Sequence, residues 1–219
     1  MAYFLRFDNS LGGNRAVNFT AVPTAGASGS KNFRWLFDFE MQGTNAPFAY
    51  NDPFNASLLI FFTSSTSLQI RNISSTQSIT LNTAVTTRTV IEIVGNSGTI
   101  SIIQDGVSVG TIFASTDVLF DIGGFGRNGS ATRDFDLYRA EFYDGGTLVH
   151  DFDPSATSGA GSTLEDVVGT NDGTLADFPT DDSQWVFYSS GGGASAAITI
   201  PKPAFSSTAQ SIAPIFNAA

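Results

Sequence analysis

Cysteine is absent from the 219 residues. That excludes disulfides, thiolate metal sites and cysteine nucleophiles, and it fits assembly in a reducing cytoplasm. Histidine occurs once, as His150, and glutamate only as Glu40, Glu92, Glu141 and Glu165. Charged residues make up 14% of the chain, against roughly 25% in a typical domain. Basic residues are scarcer still: 10 Lys plus Arg face 20 Asp plus Glu, a formal charge of −10. Phosphate backbones would be repelled, so no nucleic-acid partner is expected. Anionic membrane surfaces are excluded for the same reason. No apolar run reaches the roughly 18 residues of a membrane span. Arg6 and Asp8 interrupt the opening "MAYFLRFDNS", so no signal-peptide core is expected. Neither a GxSxG elbow, a P-loop nor a dinucleotide fingerprint occurs. "GGFGRNG" (123–129) precedes a strand rather than a helix and reads as a turn. Helical periodicity is almost missing as well.

What is present is aromatic and β-prone. There are 20 Phe, and 42% of the chain is apolar, enough for one large β domain. "NFRWLFDFEMQ" (32–42) sets Trp35, Phe37, Phe39 and Met41 against Leu36, Asp38 and Glu40, the period-two pattern of a half-buried strand. "YFLRFD" (3–8) opens the chain, and 57–64 with 67–73 reads as a hairpin. The stretch 87–113 reads as three strands joined by "GNSG" and "DG", the second being a strong two-residue hairpin signal. Strands follow at 118–126, 134–144 and 147–153, the last two joined by "GG". Such spacing predicts an antiparallel sandwich. One helical turn is expected near "STLEDVVG" (162–169), where Ser162 and Glu165 have capping-box spacing. Residues 1–188 are expected to form the sandwich. Residues 189–197, "SSGGGASAA", have linker composition. Residues 198–219 read as a short tail that docks on a neighbouring subunit.

The order of these pieces resembles the concanavalin A-like lectin/glucanase jelly roll in its laminin-G-like form. The stretches that carry this are "LRFDN", "TISIIQDGVSVGTIF", "FDIGGFGRNGSATRDFDLYRAEFYDGGTLVHDFDP" and "STLEDVVGTNDGTLADFPTDDSQWVFY". The last is similar to the terminal segment of such domains on bacteriophage virion and tail proteins. The resemblance implies an all-β jelly roll and a non-enzymatic virion component, such as a capsid decoration or tail-associated protein. Its partners would be other virion proteins and copies of itself. The alternative it implies is a carbohydrate-binding adhesion module for host-surface glycans, with or without calcium. A glucanase is the third, because fold alone does not fix activity.

The residues bear on these alternatives unequally. Asp38 and Glu40, at i and i+2, share a strand face, but no second glutamate completes the E-x-D-x-x-E pattern of retaining glucanases. No catalytic residue is assigned. His150 is read as a packed or surface residue of its strand. For sugar binding, Tyr50, Asn51, Asp52 and Phe54 in "FAYNDPFN" are the candidates, since that stretch reads as a loop able to expose an aromatic ring. For calcium, oxygen donors collect at Asp166, Asn171 and Asp172. The competing reading of these residues is turn formation through side-chain-to-backbone bonds. Trp185 would then pin the last strand.

Overall fold

The computed structural model describes residues 2–8, 15–19, 32–43, 46–50, 58–72, 76–96, 99–112, 122–126 and 134–188. Within them the chain forms strands only. In order these are β1 (Ala2–Phe7), β2 (Ala16–Phe19), β3 (Phe33–Met41), β4 (Ala46–Tyr50), β5 (Leu58–Ser64), β6 (Ser67–Asn72), β7 (Thr76–Thr80) and β8 (Thr89–Asn96). They continue with β9 (Thr99–Gln104), β10 (Val107–Thr111), β11 (Gly124–Gly126), β12 (Phe135–Asp144), β13 (Thr147–Phe152), β14 (Thr163–Leu164), β15 (Gly173–Ala176) and β16 (Trp185–Tyr188). The linker at 189–197 and the tail at 198–219 lie outside the described residues. Among the described residues no helix is long and apolar enough to cross a membrane.

The strands build two antiparallel sheets. The front sheet runs β10-β9-β8-β3-β12-β1-β16, with β13 also paired to β12. The back sheet runs β14-β15-β2-β11-β4-β5-β6-β7. This is the all-β jelly-roll sandwich expected from the alternating pattern. Strand β12 is the front sheet's spine. Its whole length pairs with β3, its start with β1 and its end with β13.

Phenylalanine fills the space between the sheets. Every second residue of β3 points inward: Phe33, Trp35, Phe37, Phe39 and Met41 are buried, and the residues between them are half-exposed. Phe37 meets Phe48 of the back sheet edge-to-face at 5.3 Å, and Phe39 meets Phe62 at 5.3 Å. Phe125 and Phe152 continue the array. Burying one such ring contributes about 1.5–3 kcal/mol. Turns are set by local chemistry. Asp105 (φ 50°) and Gly106 (φ 78°) join β9 to β10, and Gly145 (φ 54°) and Gly146 (φ 97°) join β12 to β13. Two consecutive positive φ values are what a type I′ hairpin requires.

The expected helical turn at 162–169 is not formed. Thr163 and Leu164 pair with Thr174 and Gly173, and Asp166 bridges to Phe152. The Ser162 carbonyl accepts from Leu175 N–H at 2.9 Å. Cross-strand pairing overrides the local capping signal.

Candidate functional site

The outer face of the front sheet carries most of the described ion pairs. A β-bulge organises it. Leu137 pairs with Phe39 and Arg139 with Asp38, so Tyr138 is an extra residue in β12. A bulge re-aims side chains at the cost of one ladder position. Here it turns both Tyr138 and Arg139 outward while Leu137 and Ala140 stay in the core.

Arg88, just before β8, lies against this bulge. Its Nε and Nη2 donate to Asp38 Oδ1 and Oδ2 at 2.9 and 2.7 Å. Its guanidinium lies over the rings of Tyr138 and Tyr188 at 4.1 and 5.3 Å. The two tyrosine rings meet edge-to-face at 5.3 Å, with Phe4 at 5.0 Å from Tyr138. The Arg88 side chain is 44% exposed. Its loop is tied down from behind. Gln104 Nε2 donates to Thr83 O at 3.0 Å and to Thr83 Oγ1 at 2.8 Å, and its Oε1 accepts from Thr83 N–H at 3.1 Å. Asp105 Oδ1 accepts from Val90 N–H at 2.8 Å and from Thr89 Oγ1 at 3.0 Å.

Charge pairs extend in both directions from this centre. Arg6 closes on Asp136 through two bonds of 2.9 Å, and the Asp136 side chain is only 3% exposed. Burial pushes the Asp136 carboxyl up. Arg6 and Gln42 pull it back without cancelling that rise. Burial and the neighbouring Asp136 and Glu40 carboxylates also hold the Tyr138 phenol above its ordinary range. It therefore stays a neutral hydrogen-bonding group. On the other side Arg139 grips Asp151 at 2.8 and 2.7 Å and reaches Glu141 at 3.1 Å. Glu141 accepts from the Tyr143 hydroxyl at 2.6 Å, and Arg34 lies over the Tyr143 ring at 4.7 Å while bonding Glu92 at 2.6 Å. Glu40 stands beside the Arg88 centre with Gln42 donating to its Oε1 at 3.1 Å.

This face can do specific things. It offers a half-exposed guanidinium over two tyrosine rings, a carboxylate acceptor at Glu40 and phenolic hydroxyls, with Glu40 and the tyrosines on strands and Arg88 in the loop just before β8. It does not offer a free pair of carboxylates for glycoside cleavage, because both Asp38 oxygens are held by Arg88.

The residues singled out from the sequence lie elsewhere. Tyr50 is not on a loop. It ends β4, is 0% exposed, and its hydroxyl donates to Asn18 Oδ1 at 2.7 Å. Burial raises its phenol above the ordinary range. A ring enclosed in the core cannot stack on a sugar. Gly124 is required beside it, since a Cβ there would collide with the Val17 carbonyl and stand 2.6 Å from the Tyr50 hydroxyl. Asn51, Asp52 and Phe54 lie outside the described residues.

Of the calcium candidates Asp166, Asn171 and Asp172, the first is engaged in hydrogen bonds of its own. The Asp166 side chain is 0% exposed. Its oxygens accept from His150 Nδ1 at 2.6 Å and from the backbone N–H of Asp151, Gly169 and Asn171 at 3.0, 2.9 and 3.2 Å. Burial alone would push this carboxyl up, but those donors together hold it below the ordinary range. Protons, not vacant lone pairs, face the space a cation would need. Asp172 Oδ1 accepts from Asp166 N–H at 2.9 Å, and Asn171 is buried. Among the described residues no group of three or more acidic or histidine side chains could hold a metal ion.

Turn formation is what these aspartates do. Asp177 and Asp182 adopt φ of 58° and 64°. Asp182 Oδ1 accepts from Gly161 N–H at 2.8 Å, and Trp185 Nε1 donates to Gly161 O at 2.9 Å, which fixes β16 against the closing loop.

No protein-family model matches this sequence, and no curated protein matches it. Solved structures with partial similarity include an alginate lyase of polysaccharide lyase family 7, at 13% identity and a TM-score of 0.35. That match covers 52% of this chain and 59% of the lyase chain. A galectin of Caenorhabditis elegans is similar at 14% identity and a TM-score of 0.34, over 57% of this chain and 95% of the galectin.

Proposed function

We propose that this protein is a non-enzymatic carbohydrate-binding sandwich that contacts a neutral glycan through the outer face of its front sheet. The observation that carries this is Arg88 held half-exposed over Tyr138 and Tyr188 by its two bonds to Asp38, beside Glu40. A sugar ring needs a planar surface for its C–H face and acceptors for its hydroxyls, and this patch supplies both. Strands hold Glu40, Tyr138 and Tyr188, and Asp38 holds Arg88, so little ordering cost falls on binding. The resemblance to concanavalin A-like domains supports the same reading.

Neutral glycans are favoured over acidic ones on charge. Arg6, Arg88 and Arg139 each spend two N–H groups on a carboxylate of this chain. A uronate or sialate would meet occupied guanidinium groups in a molecule of charge −10. Calorimetric titration with neutral and acidic oligosaccharides is the test. Neutral glycans should bind, and Arg88→Ala and Tyr188→Ala should each weaken binding at least tenfold, about 1.4 kcal/mol. The remote Glu165→Gln should leave binding unchanged. Binding unaffected by either site variant would refute the assignment.

A place in a bacteriophage virion, as a decoration or tail-associated protein, is a second and compatible reading. It is favoured by the closing segment, which resembles that of phage domains and supplies β14 and β15 to one sheet and β16 to the other. Immunoblotting of purified particles would test it. Recovery in the particle fraction is expected, and confinement to the soluble lysate would contradict it.

A further inference from the structure

Each sheet of a sandwich ends in two edge strands, and open edges invite pairing with another chain. Among the described residues, the front-sheet strand β13 is partly covered by Asp166 and Val167, and three further edges are short or interrupted. Strand β14 has two residues and β16 has four. Strand β10 is broken by a register shift between Ser108 and Gly110. Strand β7 differs. It is five residues long, pairs with β6 in unbroken register over Thr76–Thr80, and contains no proline, glycine or charge. Thr76, Ser78 and Thr80 are exposed. Ile79 packs against the core yet stays half-exposed.

The sequence of this edge is self-complementary. Antiparallel pairing about a two-fold axis at Ser78 places Thr76 opposite Thr80 of a second copy, and Ser78 opposite Ser78. Gln77 falls opposite Ile79. Hydroxyl-bearing pairs of this kind stabilise antiparallel ladders. Charge points to the same strand. Two copies carrying −10 each repel one another. A contact strand without ionisable side chains adds no local like-charge pair to that repulsion. A two-fold edge contact also closes on itself, so it yields a dimer and not a fibre.

We propose that β7 is a homodimer interface, at which two back sheets join edge to edge into one continuous antiparallel sheet. This surface is separate from the Arg88 face and does not depend on the glycan reading.

Sedimentation equilibrium of the full chain, from micromolar to submillimolar concentration, is the test. The wild type should fit a monomer–dimer equilibrium. Ser78→Lys sets two like charges opposite each other at the axis and should abolish the dimer, and Thr76→Lys should weaken it at least tenfold. Both positions are exposed, and an unchanged melting temperature confirms that each variant folds. Val107→Lys on β10 should dimerise like the wild type. A wild type that stays monomeric throughout the range overturns the proposal. So does a Ser78→Lys variant that dimerises as the wild type does.

Discussion

At the scale of single residues, several carboxylates on and under the front sheet are held by named partners, and removing those partners has calculable consequences. Asp136 is buried and answered mainly by Arg6. Arg6→Met leaves that carboxylate without its cation. Breaking a fully buried pair costs about 3–5 kcal/mol, and about 2–3 kcal/mol is expected here because water reaches the Arg6 end. Urea denaturation should show the loss, and Arg6→Met/Asp136→Leu should recover most of it. Asp166 acts through pH. Its folded-state pKa lies below the unfolded value. Its contribution is therefore present above the unfolded pKa and lost as pH falls through the lower folded one. The wild type should lose stability steeply below about pH 4. Asp166→Asn should be less stable at neutral pH and show a flatter acid limb in thermal melts. Because N–H donors face the Asp166 oxygens, millimolar calcium should leave the melting temperature unchanged. A calcium-dependent rise of several degrees would contradict that arrangement.

At the scale of elements, the bulge in β12 links fold to site. Removing Tyr138 restores plain alternation: Asp136 out, Leu137 in, Arg139 out, Ala140 in. Deleting Tyr138 should therefore preserve the sandwich, seen as an unchanged β spectrum with cooperative melting, while abolishing glycan binding. A deletion variant that binds normally would separate the bulge from function. Legibility from sequence followed strand length and regularity. The nine-residue β3 and the hairpin turns Asp105-Gly106 and Gly145-Gly146 were readable because period-two patterning and positive-φ chemistry are local. Strands β2, β4 and β7 have four or five residues, too short for alternation to stand out. That is why Tyr50 read as a loop residue. The Ser162/Glu165 spacing misled because pairing with β15 decides that segment. The outward patch was hidden for a different reason. Its members come from β1, β3, β12, β16 and the residue before β8, so no local motif joins them. The one trace was "LYRA" (137–140), where two polar side chains stand between two core residues.

At the scale of the whole molecule, the surfaces divide the labour. The core is a stack of phenylalanine rings, closed without any disulfide. Truncating one central ring, Phe48→Ala, should cost about 3–5 kcal/mol, measured by chemical denaturation. Around that core the front face holds paired charge and tyrosine, while the back sheet ends in the neutral strand β7. On our two proposals, a sandwich built this way would present one face to a ligand and one edge to a second copy. The most direct measurement of the binding claim is a nuclear magnetic resonance titration of labelled protein with a neutral oligosaccharide. Shift changes should centre on Glu40, Arg88, Tyr138 and Tyr188. Changes confined to residues 50–54, or no change with any neutral glycan tried, would contradict the assignment of the front face as the contact surface.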